Sequence, residues 1–173
     1  MIPPPSTGDS GDDTPDYAEA LAACRNFGDV FELVKRSVEE TLHQRRAGLM
    51  LYLADLPLAV GAYHEVGSNT IVVNSALLKI VEGHAKSQEE VNAYLYSILF
   101  HEYLHALGYI EEAKVRRLVY LVSKDVLGPE HPATRMTANP TIISSQIPLI
   151  HHRPTGAAEL VRDFDSHDHH YII

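Results

Sequence analysis

Between Ser87 and Gly108 the apolar positions run almost all the way round a helix. Val91, Tyr94, Leu95, Ile98, Leu99, Phe100, Leu104 and Leu107 leave little of its surface polar, the pattern of a helix buried on every side. Ser87 and Glu90 make a capping box at its start, and Gly108 stops it at the C-cap. The flanking patterns are one-faced. Residues 17–27 read as a short helix. Asp29 and Glu32 open a second, with Phe31, Val34, Val38 and Leu42 along one face and Arg45-Arg46 near its end. Strand-like runs follow at 49–54, 60–66 and from Thr70 to Val73; Gly67-Ser68-Asn69 joins the last two as a hairpin. Asn74-Ser75 caps a helix through Val81, and after Gly108 a helix over about 111–127 turns Val115, Leu118, Val119 and Val122 inward. A small mixed or antiparallel sheet packed on a central helix, with further helices, predicts an α+β fold.

The ends of the chain break this pattern. Residues 1–16 carry Asp9, Asp12, Asp13 and Asp16 with no Lys or Arg and read as a disordered acidic leader. Residues 139–173 are punctuated by Pro140, Pro148 and Pro154 and read as a C-terminal tail, which leaves 17–138 as the compact domain. No internal repeat is visible.

Composition narrows the class. A chain of 173 residues with 45% hydrophobic residues can bury one sizeable core. A net charge of −9 argues against nucleic acid or an anionic membrane as partner, since both are polyanions. No apolar run is long enough to span a bilayer, and Met1-Ile2-Pro3-Pro4-Pro5 does not read as a signal peptide. The single cysteine, Cys24, excludes an intrachain disulfide and fits a reducing, cytoplasmic setting.

The central helix carries the chemistry, in the run His101-Glu102-Tyr103-Leu104-His105. Residues four apart on a helix share a face, so His101 and His105 aim two imidazoles at one point. A tetrahedral zinc ion accepts that geometry. Glu102, one residue round, can act as general base on a water without ligating the metal. Burying such polar residues in an apolar helix is costly without a purpose.

With this motif in that helix, preceded by a strand ending Ile71-Val72-Val73-Asn74, the chain resembles the zincin metallopeptidases, most closely the minigluzincins, over residues 28–138. The resemblance implies a zincin-like fold and peptide-bond hydrolysis, with zinc (Zn2+) held by His101 and His105 and Glu102 as general base. It also implies that an extended peptide or protein substrate joins the sheet at an edge strand, here from Thr70 to Val73.

Three residues compete as third ligand. Glu111 sits where His-Glu-x-x-His-x-x-Gly-x-x-ligand sites place theirs, with Gly108 at the glycine position. Glu112 begins the next helix, as a gluzincin carboxylate does, but closer to the motif. Read as calling for a histidine, the resemblance points to His131 in Gly128-Pro129-Glu130-His131-Pro132. His131 is preferred, Glu111 is the alternative, and Glu112 ranks below both.

Other candidates are secondary. Tyr63, His64 and Glu65 lie in a strand near the expected cleft, and Tyr103 and Tyr109 flank the motif. His167, His169 and His170 form a histidine-rich end. The tail, with Ile142-Ile143 and Ile147-Pro148-Leu149-Ile150, is long enough to cross the cleft. It could pair with the Thr70–Val73 edge and offer His151, His152 or Asp165 in place of the catalytic water, keeping the enzyme latent as a zymogen; the alternative is a tail that engages a partner. Two other functions stay open. His105-Ala106-Leu107-Gly108-Tyr109 resembles part of a metal-dependent endoribonuclease motif, and an inactive zinc-binding adaptor is the other.

Overall fold

The computed structural model describes residues 16–139 and 151–165. Within them six helices and a four-stranded mixed sheet make an α+β fold. In chain order these are α1 (Tyr17–Ala22), α2 (Phe27–Leu42), β1 (Met50–Ala54), β2 (Ala62–His64), β3 (Thr70–Asn74), α3 (Ser75–His84), α4 (Gln88–Ala106), α5 (Glu112–Leu127), α6 (Pro132–Ala138) and β4 (Ala158–Val161).

Side-chain caps set most helix starts. Asp16, Asn26, Asn74 and Ser87 each accept a backbone N–H from the first turn of α1, α2, α3 and α4, which satisfies donors the helix cannot. Asn74 does more: its Nδ2 donates to the carbonyls of Leu56, Pro57 and Val60, which pins the β1–β2 loop to the start of α3. The expected box at α4 takes a wider form. Ser87 caps the Glu90 N–H, while the Glu90 carboxylate reaches back to the N–H of Lys86.

The sheet order is β2-β3-β1-β4. β3 runs parallel to β1 and antiparallel to β2, and β4 runs antiparallel to β1. Leu51, Ile71 and Val73 point to the helical side, where they are fully buried in the same cluster as Phe31, Leu99 and Phe100. α4 runs through this cluster with Tyr94, Tyr96, Leu99, Phe100, Tyr103 and Leu104 almost inaccessible, as its all-round apolar pattern predicts.

Two expectations need correction. Thr70 to Val73 is not an edge: β3 is hydrogen-bonded on both sides, and the free edges belong to β2 and β4. Nor does the compact domain end at 138. β4 extends the sheet, Phe164 stacks on Phe31 at 4.3 Å between ring centroids, and Asp165 Oδ1 lies 2.6 Å from Lys35 Nζ with both side chains 2% exposed. Asp165 Oδ2 also accepts the Leu49 N–H. Burial by itself would lower the Lys35 pKa, but the bonds to Asp165 and Glu32 outweigh it and hold the ammonium charged. The prolines hid this segment, because a polar stretch gives little sign that it ends in a strand and a buried ion pair. Residues 1–15, including Asp9, Asp12 and Asp13 of the leader, lie outside the described residues, as do Ile142, Ile143 and 147–150, and His167, His169 and His170. Asp16 is the cap of α1.

Candidate metal centre

His101 and His105 stand a turn apart near the end of α4, and Glu112 opens α5. Between them Gly108 takes φ +100°, a conformation open to glycine and strained for other residues, and the chain reverses. Glu112 is thereby brought over both imidazoles. His105 Nε2 lies 2.8 Å from Glu112 Oε1 and 3.2 Å from His101 Nε2, and His101 Nε2 lies 3.2 Å from Glu112 Oε2. The three ligand atoms all fall within 4.8 Å of one another.

Hydrogen bonding decides what these atoms present. His105 Nδ1 donates to the Tyr109 carbonyl at 2.7 Å, so a neutral imidazole carries only a lone pair on Nε2. That lone pair faces another imidazole nitrogen and a carboxylate oxygen. Burial pushes the His101 pKa down, with Glu112 opposing and His105 and Arg116 adding to the effect, so the neutral form of His101 is favoured. Electron-rich atoms this close repel unless a positive centre lies among them: either a proton on an imidazole Nε2, donated to Glu112, or a divalent cation meets that need. Two imidazoles and a carboxylate are a zinc donor set that leaves one position open, and an outer Nδ1–H bond to a carbonyl is the usual orienting contact of a ligating histidine.

Glu102 stays out of this cluster. Its side chain is buried on a neighbouring face of α4, and burial pushes its carboxyl up to about 7; His105 opposes the shift, Glu112 adds to it, and a backbone hydrogen bond from His64 opposes it. It lines a cleft of about 670 Å³, walled by Tyr63, His64 and Val66 of the β2–β3 hairpin and by Tyr109 and Ile110. Arg46 braces this cleft: its guanidinium donates to the Ala106 carbonyl at the end of α4 and to the Ser68 carbonyl in the hairpin turn.

The other candidates fall elsewhere. His131 is the N-cap of α6, where Nδ1 accepts the Ala133 N–H at 3.1 Å. Its hydrogen therefore sits on Nε2, 3.9 Å from Glu89 Oε1. Glu89 is at the start of α4, about 18 Å from His101 at 1.5 Å rise per residue, so His131 is corrected as a ligand by both place and tautomer. Glu111 is the N-cap residue of α5 and is not among the clustered groups. Tyr103 is buried with its hydroxyl bonded to the Arg46 backbone, a packing role. His152 bonds Asp55 at 2.6 Å, and Asp165 bonds Lys35; none of the described residues 151–165 lines the cleft. The tail does join a sheet edge, but that of β1, with β3 and β2 lying between it and the cleft. Glu112 could have been found from the sequence by asking which residue a tight turn at Gly108 returns to the helix it has just left.

Comparison with protein-family models, with curated proteins and with solved structures gives no match. Among the described residues no helix is long and apolar enough to cross a membrane.

Proposed function

We propose that this protein is a zinc-dependent peptidase of the zincin kind, with His101, His105 and Glu112 as ligands and Glu102 as general base. The observation that carries the reading is the convergence of three electron-rich ligand atoms beside a buried carboxyl on the His-Glu-x-x-His helix. When bound, zinc supplies Lewis acidity, which acidifies a water and polarises a carbonyl. Glu102 takes the proton of the attacking water and passes it to the leaving amine. The Tyr109 carbonyl holds His105 in its ligating tautomer, and Arg46 fixes the end of α4 against the hairpin. An extended substrate adds to the free edge of β2, which borders the cleft, and not to β3. A reducing cytoplasm is the proposed setting, in keeping with the free thiol of Cys24.

The test uses the full chain, denatured casein and structured RNA, each with and without chelator. Cleavage of casein that chelator stops is the expected result. Glu102→Gln should retain one zinc per chain and lose about 10²- to 10⁴-fold in rate. Cleavage of RNA alone would favour the endoribonuclease reading, and zinc binding with neither activity the adaptor.

A further inference from the structure

β4 is the outer strand of the sheet on the side away from the cleft, and it pairs with β1 alone. Its backbone direction is fixed at its start. The Asp55 N–H donates to the Ala157 carbonyl and the Asp55 carbonyl accepts the Gly156 N–H, with Gly156 at φ +71°, a bulge that closes the ladder there. Hydrogen-bonded pairs alternate along an antiparallel ladder. Counting from Asp55, Glu159 and Val161 turn their backbone groups to β1, opposite Leu53 and Leu51. The N–H and C=O of Ala158 and Leu160 and the N–H of Arg162 therefore face outward, and they find no hydrogen-bond partner among the described residues. The Leu160 side chain, 47% exposed, continues a row on the face of the sheet opposite the helices: Tyr63, Val72, Tyr52 and Leu160 stand side by side in register. The strand carries neither proline nor lysine to blunt it.

We propose that this edge pairs with the same edge of a second copy of the chain, antiparallel about a two-fold axis through Leu160, joining two four-stranded sheets into one. The outward groups select that register. Centring the pair on Glu159 would set two carboxylates directly opposite each other, which is destabilising. Centring it on Val161 would move the pairing onto the turn at Arg162 and Asp163, where Asp163 takes φ 56°. Centred on Leu160, each leucine exchanges both backbone bonds with its copy, and the Ala158 carbonyl of each chain accepts the Arg162 N–H of the other. The row from Tyr63 to Leu160 then runs unbroken into that of the second copy, an apolar stripe that neither chain has alone. A two-fold interface needs one patch that complements itself, and this edge does so. The axis stands normal to the sheet, so both helical layers lie on one side and the two metal clefts, beside β2, lie at the far ends. β2 keeps its free edge, and the pairing is independent of the peptidase reading.

Sedimentation velocity of the full chain should show dimers that form reversibly with concentration. Leu160→Lys sets two ammonium groups opposite each other and should weaken association more than about 10-fold. Leu160→Pro removes only an outward N–H, which an edge strand tolerates, and should act in the same direction. Circular dichroism of both variants should match that of the natural chain. The register has its own readout. Leu160→Cys places two thiols on the axis with about 5.5 Å between Cα atoms, within disulfide reach. Glu159→Cys places them diagonally, about 7–8 Å apart, beyond it. Under mild oxidation the first should crosslink more than about 10-fold faster than the second, and the natural chain, whose Cys24 is buried, should not crosslink. A natural chain that stays monomeric up to about 1 mM, as it would if its own residues 140–150 or a strand of another protein held this edge, overturns the proposal. So do dimers that persist undiminished in Leu160→Lys, or equal crosslinking of Leu160→Cys and Glu159→Cys.

Discussion

The two ends of α4 each bring a histidine and a glutamate together, and they do opposite things with them. At the C-terminal end His105 gives its Nδ1 hydrogen to the Tyr109 carbonyl, so its Nε2 lone pair meets Glu112 and His101. At the N-terminal end His131 uses its Nδ1 lone pair to cap α6, so Nε2 carries the hydrogen and points towards Glu89. The residue types are the same, and so is the helix between them. What differs is the backbone group each ring finds first: a carbonyl leaves the Nε2 lone pair of His105 facing the cluster, and an N–H makes His131 a cap. On the proposed reading, which histidine is free to bind metal follows from local backbone geometry, which residue counting along the chain does not reveal.

The sharpest way to break this comparison is metal affinity. His101→Ala or His105→Ala should abolish zinc binding, and Glu112→Ala should weaken it more than about 100-fold, beyond what loss of an outer contact costs. His131→Ala should leave it unchanged. Competitive titration with a chromophoric chelator reads all four, and a zinc loss in His131→Ala that matches Glu112→Ala would end the distinction. A defect remote from both ends sets the scale for stability. Asp165→Ala leaves the Lys35 ammonium buried without its closest partner, which should cost about 3–5 kcal/mol in denaturant unfolding of the metal-free chain. His131→Ala removes only a cap, and about 1 kcal/mol is expected there. The smallest effect is in pH. Burial lowers the His131 pKa, Glu89 partly opposing, so as pH falls through about 6.5 the unfolded chain takes up a proton before the folded one does. Stability should decline from about pH 6.5 downward until the folded ring also protonates. His131→Asn keeps a side-chain cap and cannot titrate, so the difference between its metal-free unfolding free energy and that of the natural chain should narrow in acid. A difference that does not vary with pH would show that His131 does not titrate on unfolding.

Periodicity carried much of this molecule. The all-round apolar run of α4, the Gly67-Ser68-Asn69 hairpin and the caps at Asn74 and Ser87 were all legible, because each depends on residues close in sequence. His101, His105 and Glu102 were legible as a set for the same reason, and the structure brings the two imidazoles together. The approach of Glu112 to the two imidazoles was not legible because its position depends on how sharply Gly108 turns the chain, a three-dimensional fact. His131 was overvalued because a Gly-Pro…Pro setting looked purposeful, and its purpose is to start α6 with Pro132 in the first turn. The order β2-β3-β1 was hidden because parallel pairing of β1 with β3 passes over the strand between them in sequence. β4 was hidden because its partner lies about a hundred residues earlier, and its own residues, mostly exposed, lack an apolar pattern.

The bond between Lys35 and Asp165 spans 130 positions of the chain, and this has a temporal consequence. During translation the His-Glu-x-x-His helix is synthesised before Asp165. Until then Lys35 has no Asp165, Phe31 no Phe164, and β1 an unpaired side. Contacts of such long separation form late and fold slowly. Pairing of β1 with β4 and cover of Phe31 by Phe164 are therefore among the last contacts to form, at a time when His101, His105 and Glu112 have all been synthesised.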